Sequence, residues 1–341
     1  MKGKLLLIAL LCSHFIYAQY DNAGSYITAI GEQYRIIQKE MWEYTSAASH
    51  GKSAKTVEKK RLELVQTTYE AKGKVMRMKD FKGNTTYRDS VVAFLDMYYH
   101  VIKEDYGKIV NMEEIAERSY DNMEAYMMAK EEANNKLNDA SEMLIQVEKD
   151  FAAEFDVELM SGEEDELSRK MGIASEVYDY YNKLYLIFFK GYIADKYLSE
   201  AITNQDVNAI EQNRQSLSSS AAEGLEKLKD IKAYNGDNTV AEALKQMLDF
   251  YQKEADEMVE HITNYFIKAE NFQTIKKSFD AKKEKDRTQA DVDQFNNAVN
   301  ESNAAGQKYN ETNQEMFNTK NKLIENWNKS VEKFLDKHVP K

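Results

Sequence analysis

A chain that carries one unit twice can adopt only a fold that accommodates both copies, and this sequence is of that kind. Slid on itself by 153 residues, it aligns 44–111 with 197–264 without a gap, giving 17 identities in 68 positions. Typical residue frequencies give about four by chance. The identities include Tyr44/Tyr197, Glu58/Glu211, Arg61/Arg214, Gly83/Gly236, Thr86/Thr239, Leu95/Leu248, Asp96/Asp249 and Tyr98/Tyr251. Where identity fails, character is often kept, as in Val57/Ile210, Phe81/Tyr234, Asn84/Asp237 and Asp89/Glu242. Duplication explains this pattern better than chance.

The repeated unit reads as helical. Pro340 is the only proline, and because proline disrupts helix interiors, its absence elsewhere favours long uninterrupted helices. Ile27, Ile30, Tyr34, Ile37, Met41 and Tyr44 recur at steps of three and four, as do Ile173, Val177, Tyr180, Leu184, Ile187, Gly191, Ala194 and Leu198. The third helices repeat the pattern with Val91, Leu95, Tyr98 and Ile102, and with Leu244, Leu248, Tyr251, Ala255, Met258 and Ile262. Each series forms an apolar stripe along one helix face.

The turns agree across the copies. Gly83 in MKDFKGN and Gly236 in IKAYNGD are expected to end the second helices in the left-handed conformation. Thr86 with Asp89, and Thr239 with Glu242, predict capping boxes for the third helices. Ser53 and Asp206 are the expected N-caps of the second helices. The last helix of each copy is expected to open at Asp121 and at Thr288. The polar tract 296–321, with only Val299, Tyr309 and Met316 as weak apolar positions, is expected to pack loosely. The stripe returns at Leu323, Trp327, Val331 and Phe334.

These readings predict an all-α chain: two tandem, internally duplicated four-helix bundles after a signal peptide, spanning 19–154 and 168–341. The segment FDVELMSGEEDEL at 155–167 reads as an acidic linker, its run from Glu163 to Glu166 a solvated hinge or helix start.

The signal peptide, 1–18, is read from basic Lys2 and Lys4, apolar Leu5 to Leu11, and Ile16-Tyr17-Ala18 before Gln19. Lipid attachment at Cys12 is disfavoured, because that processing prefers a small residue where Leu11 stands. Cleavage after Ala18 takes the formal net charge from −12 to −14, since two lysines leave and no acid does. It also removes the only cysteine, excluding a disulfide framework and a thiol nucleophile. Acidity of this order argues against nucleic acid as the principal partner. No integral membrane segment is expected in the mature chain; the nearest apolar run, Leu184 to Ala194, is interrupted by Lys190.

HGKSAKTVEKKRLELV, followed by MKDFKGNTTYRDSVVAFLDMYYHVIKEDY, resembles a family of exported helical "surface proteins" of spirochaetes and Bacteroidota. The resemblance implies a cell-envelope location and no particular chemistry. Tandem four-helix bundles also resemble the exported imelysin-like proteins, whose signature includes His-x-x-Glu. Here Ser53 follows His50, Lys103 follows His100 and Asn264 follows His261 at that spacing. That likeness therefore carries no active site across.

Chemistry is sparse in what remains. His100 shares a helix face with Asp96 and Glu104, but Lys253 replaces the histidine in the second copy. His261 pairs with Glu257, where Lys108 stands in the first copy. Helix-face ion pairing explains both, so no metal site is expected. His50 is expected in a solvent-exposed turn and His338 in the C-terminal tail. No Glu-x-x-His pair, Gly-x-Ser-x-Gly elbow or phosphate-cradling loop occurs. No catalytic residue or cofactor is expected.

One compositional feature stands out: eight aromatics between Tyr178 and Tyr197, too many for one seam. A neighbouring bundle covering them is the expected arrangement, with an exposed aromatic patch for glycan or protein as the alternative. The sequence thus predicts a non-enzymatic, exported interaction scaffold, periplasmic or cell-surface, engaging an unknown envelope macromolecule. The alternative is a periplasmic ligand- or metal-binding protein that uses the groove between the bundles. A polar cluster buried in the core of one copy separates the two, since a scaffold requires only apolar and satisfied residues there.

Overall fold

The computed structural model describes residues 20–50, 52–159 and 166–341. The expected signal peptide, Cys12 and the centre of the acidic linker lie outside them. The described residues are all-α, with only two isolated β-bridges, Phe81 to Asn84 and Tyr234 to Asp237.

The chain forms α1 (Ala23–Ser49), α2 (Ala54–Met76), α3 (Thr86–His100), α4 (Tyr106–Ala116) and α5 (Tyr120–Glu154). A second series follows: α6 (Glu166–Thr203), α7 (Val207–Asp230), α8 (Thr239–Lys253), α9 (Val259–Ala281) and α10 (Gln289–His338). In the first series α1 packs on α2, α2 on α3, and α5 returns against α3 and α4. In the second, α6, α7, α8 and α10 make the equivalent contacts, and α9 pairs with α10. Helices α1 and α5 both touch α6, joining the series.

The predicted stripes form the cores. Tyr26, Ile30, Leu64, Leu95, Ile102 and Phe151 anchor the first; Leu184, Leu198, Leu217, Leu248, Trp327 and Phe334 anchor the second. Trp42, Ala116 and Met123 of the first series belong to the second core, so the join is apolar as well as polar.

The two series share a device that the sequence does not announce. Helix α3 passes into α4 through a π-helical turn, Val101–Asp105, and α8 into α9 through another, Glu254–Met258, 153 residues later. A π turn widens the helix by one residue and frees backbone carbonyls. Arg61 Nη1 donates to the Ile102 and Lys103 carbonyls at 2.9 and 3.2 Å. Its Nε and Nη2 clamp Glu58 at 2.8 and 2.7 Å. Arg214 repeats this with Glu211 at 2.8 and 2.7 Å, and donates to the Ala255 carbonyl at 3.3 Å. The repeated Glu-x-x-Arg thus satisfies the distorted turn of the neighbouring helix. The widened turn also brings two consecutive residues inside: Val101 with Ile102, and Glu254 with Ala255.

Several local expectations need correction. Gly83 and Gly236 are left-handed, at φ +89° and +79°, but they follow Lys82 and Asn235, each at +49°. Two successive left-handed residues inside a bridged pair make a tight hairpin turn, not a helix cap. The amide that opens α3 is capped by Asn84 rather than Thr86, with Tyr87 N donating to Asn84 Oδ1 at 3.3 Å. In α8 the cap is Asp237, which accepts from the Thr239 amide at 3.0 Å. Helix α5 opens at Tyr120 with Ser119 as its N-cap. Ser53, Asp206 and Thr288 cap α2, α7 and α10 as expected, Thr288 forming a full capping box with Asp291.

The polar tract of α10 holds a continuous seam. Ala298, Ala305, Thr312 and Met316 are buried, with Phe295, Ser302, Tyr309, Thr319 and Leu323 half-buried between them at alternating steps of three and four. Small side chains let α9 and α10 approach closely as a hairpin, with Tyr265 stacked on Tyr309 at 4.7 Å and Phe279 on Phe295 at 4.7 Å. Beyond Val259 and Ile262, α9 buries no residue fully.

Candidate functional site

The histidines and carboxylates singled out above do not converge. His100 is half-exposed, with Nδ1 3.0 Å from Glu104 and Nε2 3.9 Å from Asp96, while Asp96 has Lys72 at 2.6 Å. The His100 hydrogen bond holds Glu104 below the usual carboxylate range. His261 lies half-buried on α9. Glu40, Glu43 and Glu63 come together on α1 and α2, but Lys60 stands among them, 2.5 Å from Glu43 and 2.9 Å from Glu63, and supplies their countercharge.

His50 and His338 are not exposed. His50 Nε2 lies 3.3 Å from the Pro340 carbonyl and Nδ1 3.6 Å from Asp336, leaving 16 % of the side chain accessible. His338 packs on Phe334 at 4.7 Å and meets Asp237 Oδ2 at 3.0 Å through Nε2. The chain end is thereby strapped to both helix series, with Val339 buried beneath it.

The aromatic segment of α6 is what both series enclose. The first series covers its ends: Tyr178 donates to Ser49 Oγ at 2.8 Å and Tyr197 to the Arg118 carbonyl at 3.0 Å. Between them lies a cleft of about 670 Å³, bordered by Ala48 and Ser49 of α1, by His50 just beyond it, by Glu117 and by α10. Its wall on α6 is Tyr181, Tyr185, Phe188, Phe189 and Tyr192. Trp327 of α10 stacks on Phe188 at 4.4 Å with the rings only 5° apart, and Tyr192 lies against Phe188 at 5.7 Å and 17°. The expected covering holds for some of these rings, while others line a cavity. Carrying the same helix register back into α1, the equivalents of Tyr185, Phe188, Phe189 and Tyr192 are Glu32, Arg35, Ile36 and Lys39. The wall belongs to the second copy alone.

One turn further along the same pair of helices lies a buried charged cluster. Lys320 of α10 pairs with Asp195 of α6, three residues past Tyr192, and stands 2.6 Å from Glu254 Oε1 in the π turn. Glu254 is fully buried, and despite that short approach neither of its oxygens has an aligned hydrogen-bond donor. Lys320 meets it as a close ion pair. The hydroxyl of Tyr251, also buried, has no hydrogen-bond partner either.

Two carboxylates share one ammonium, and the electrostatics follow. Burial and then the Asp195 charge push Glu254 up to about 7. Burial also raises Asp195, opposed by Lys320. For Lys320, burial works against the charge, but the two carboxylates hold its pKa above the ordinary lysine value. Burial, with the charges of Asp195 and Glu254, lifts Tyr251 well above the usual phenol. At the same register the first copy has Trp42 for Asp195 and Val101 for Glu254. That apolar-to-acid exchange at Val101/Glu254 is the signal that sequence reasoning passed over. The π turn, which carries position 254 inward, is what gives it meaning.

Among the described residues no helix is long and apolar enough to cross a membrane. No family model, no curated protein and no solved structure matches the chain.

Proposed function

We propose that this is a non-catalytic binding protein of the cell envelope that holds its ligand in the aromatic cleft between two tandem four-helix bundles, 19–154 and 168–341. The resemblance to exported helical surface proteins supports the location, as does the signal-like segment 1–18. The observation that carries the reading is the cleft itself, with a wall of rings found in one copy and borders contributed by both series. A concave site of this size that sets aromatic rings beside a few charged side chains has the means to hold and orient a small molecule.

The buried Asp195–Lys320–Glu254 cluster favours this reading over a bare interaction scaffold. A charged group buried in a helical core costs stability, and its presence in one copy alone favours a role beyond packing. Native mass spectrometry of the chain recovered from envelope extract tests the proposal. A retained small molecule, released on denaturation and lost in Tyr192→Ala, is the expected result. A ligand-free chain that co-purifies stoichiometrically with a macromolecule supports the scaffold instead.

That second reading has one observation in its favour. Leu62, Tyr69 and Met76 lie exposed at seven-residue steps along α2. Their equivalents in the second copy are Gln215, Ala222 and Lys229, so this stripe too is specific to one copy.

A further inference from the structure

We infer that the cleft takes a small organic cation, a ligand with a quaternary or primary ammonium head on an apolar body. The inference rests on the cleft being the binding site and names what it selects. Three observations carry it.

The first is charge. The cleft margin presents the carboxylates of Glu117, Glu332 and Asp336 against a single lysine, Lys196. Asp336 is shared with His50 and Lys341, at 3.6 and 3.1 Å. Beyond the lining residues, one turn further along α6 and α10, Asp195 and Glu254 outnumber Lys320. The whole chain carries a formal charge of −12. A cation is drawn toward such a site and an anion is repelled.

The second is the rings. An ammonium is stabilised over the face of an aromatic ring, most strongly where water is partly excluded. Tyr192 has one face on Phe188 and is still 37 % accessible, the most open of the cleft rings, which leaves its outer face for a ligand.

The third is precedent within the molecule. At the same junction Lys190 of α6 sits 5.2 Å from the centre of the Tyr120 ring, and Lys170 of α6 sits 5.8 Å from that of Trp42. In both, a lysine of one series is laid on a ring of the other. The cleft repeats that chemistry with rings on its wall and carboxylates at its margin, and its volume of about 670 Å³ leaves room for a body behind the head. A neutral glycan also stacks on rings, but the acidic margin gives it no advantage over a cation.

The test titrates the full chain with choline and with its uncharged isostere 3,3-dimethylbutan-1-ol. Affinity is read by calorimetry, and location by Trp327 emission in a Trp42→Phe background. Choline is expected to bind about tenfold more tightly than the isostere. Tyr192→Leu, at an exposed position that leaves the core intact, is expected to bring the two near parity. Glu332→Gln is expected to weaken choline and not the isostere. Equal binding of both probes, or binding of maltohexaose in place of either, overturns the cation and leaves the cleft as the site. Binding of none, with Trp327 emission unchanged, overturns both.

Discussion

Glu254 shows how much a single residue changes when the backbone turns it inward. In the unfolded chain its carboxyl titrates near 4.5; inside the fold, burial and the neighbouring Asp195 raise it to about 7. The groups facing it are Asp195 from α6, Tyr251 from α8 and Lys320 from α10. A carboxyl whose folded pKa is raised contributes its full share below the unfolded value and loses it as pH climbs through the folded one. Stability should therefore decline between about pH 4.5 and pH 7, against the usual trend for paired surface carboxylates. Denaturant titrations of Glu254→Gln should show that decline flattened and the variant more stable than the parent at pH 8. A variant that follows the parent across that window contradicts the assignment. Lys320→Met, which leaves two carboxylates without their ammonium, should lose on the order of 3–5 kcal/mol at pH 8. Its loss should shrink as acid protonates Glu254.

At the scale of the element, the informative structure is the π turn and the arginine that serves it. Arg61 reaches two carbonyls with 9 % of its side chain accessible, whereas Arg214 reaches one at 3.3 Å and is 29 % accessible. Arg61→Met should cost roughly 1–3 kcal/mol by leaving buried carbonyls without a donor. Arg214→Met should cost less, since its one carbonyl contact is longer and its side chain more exposed. Equal losses by urea unfolding would show the clamps to be surface ion pairs and nothing more. The sequence made both residues visible as identities, yet spacing alone gave them no task. Helix positions, stripes and the N-caps Ser53, Asp206 and Thr288 were legible because period and cap chemistry are local. The π turns were not, since an extra residue within one helical turn leaves no mark on composition. The seam of α10 was missed for a related reason: Ala298, Ser302, Ala305 and Thr312 keep the three-four spacing with side chains too small to read as apolar.

At the scale of the whole molecule, the question is how the two helix series act on each other. Trp42 comes from the first series but packs into the second core, and the chain end returns to His50, just past α1. This coupling predicts one cooperative calorimetric transition for the intact protein. Trp42→Ala should remove about 3–5 kcal/mol and separate the transition into two. A single transition shifted as a whole would mean that the join does not depend on this ring. The join was the least legible feature of the sequence, because it rests on residues far apart in the chain. The rings of α6 were conspicuous, but which would be covered and which would line a cleft depended on where α1 and α10 come to rest. The buried cluster was hidden for the same reason, its members lying on α6, the π turn and α10.

The junction of the two helix series is proposed as a binding site. A fragment screen read by side-chain NMR of Phe188, Tyr192 and Trp327 tests it most directly. Hits should perturb these rings together and leave Tyr69 and Phe317, exposed elsewhere, unmoved. Hits that gather on the α2 stripe around Tyr69, with the cleft rings unperturbed, would contradict it.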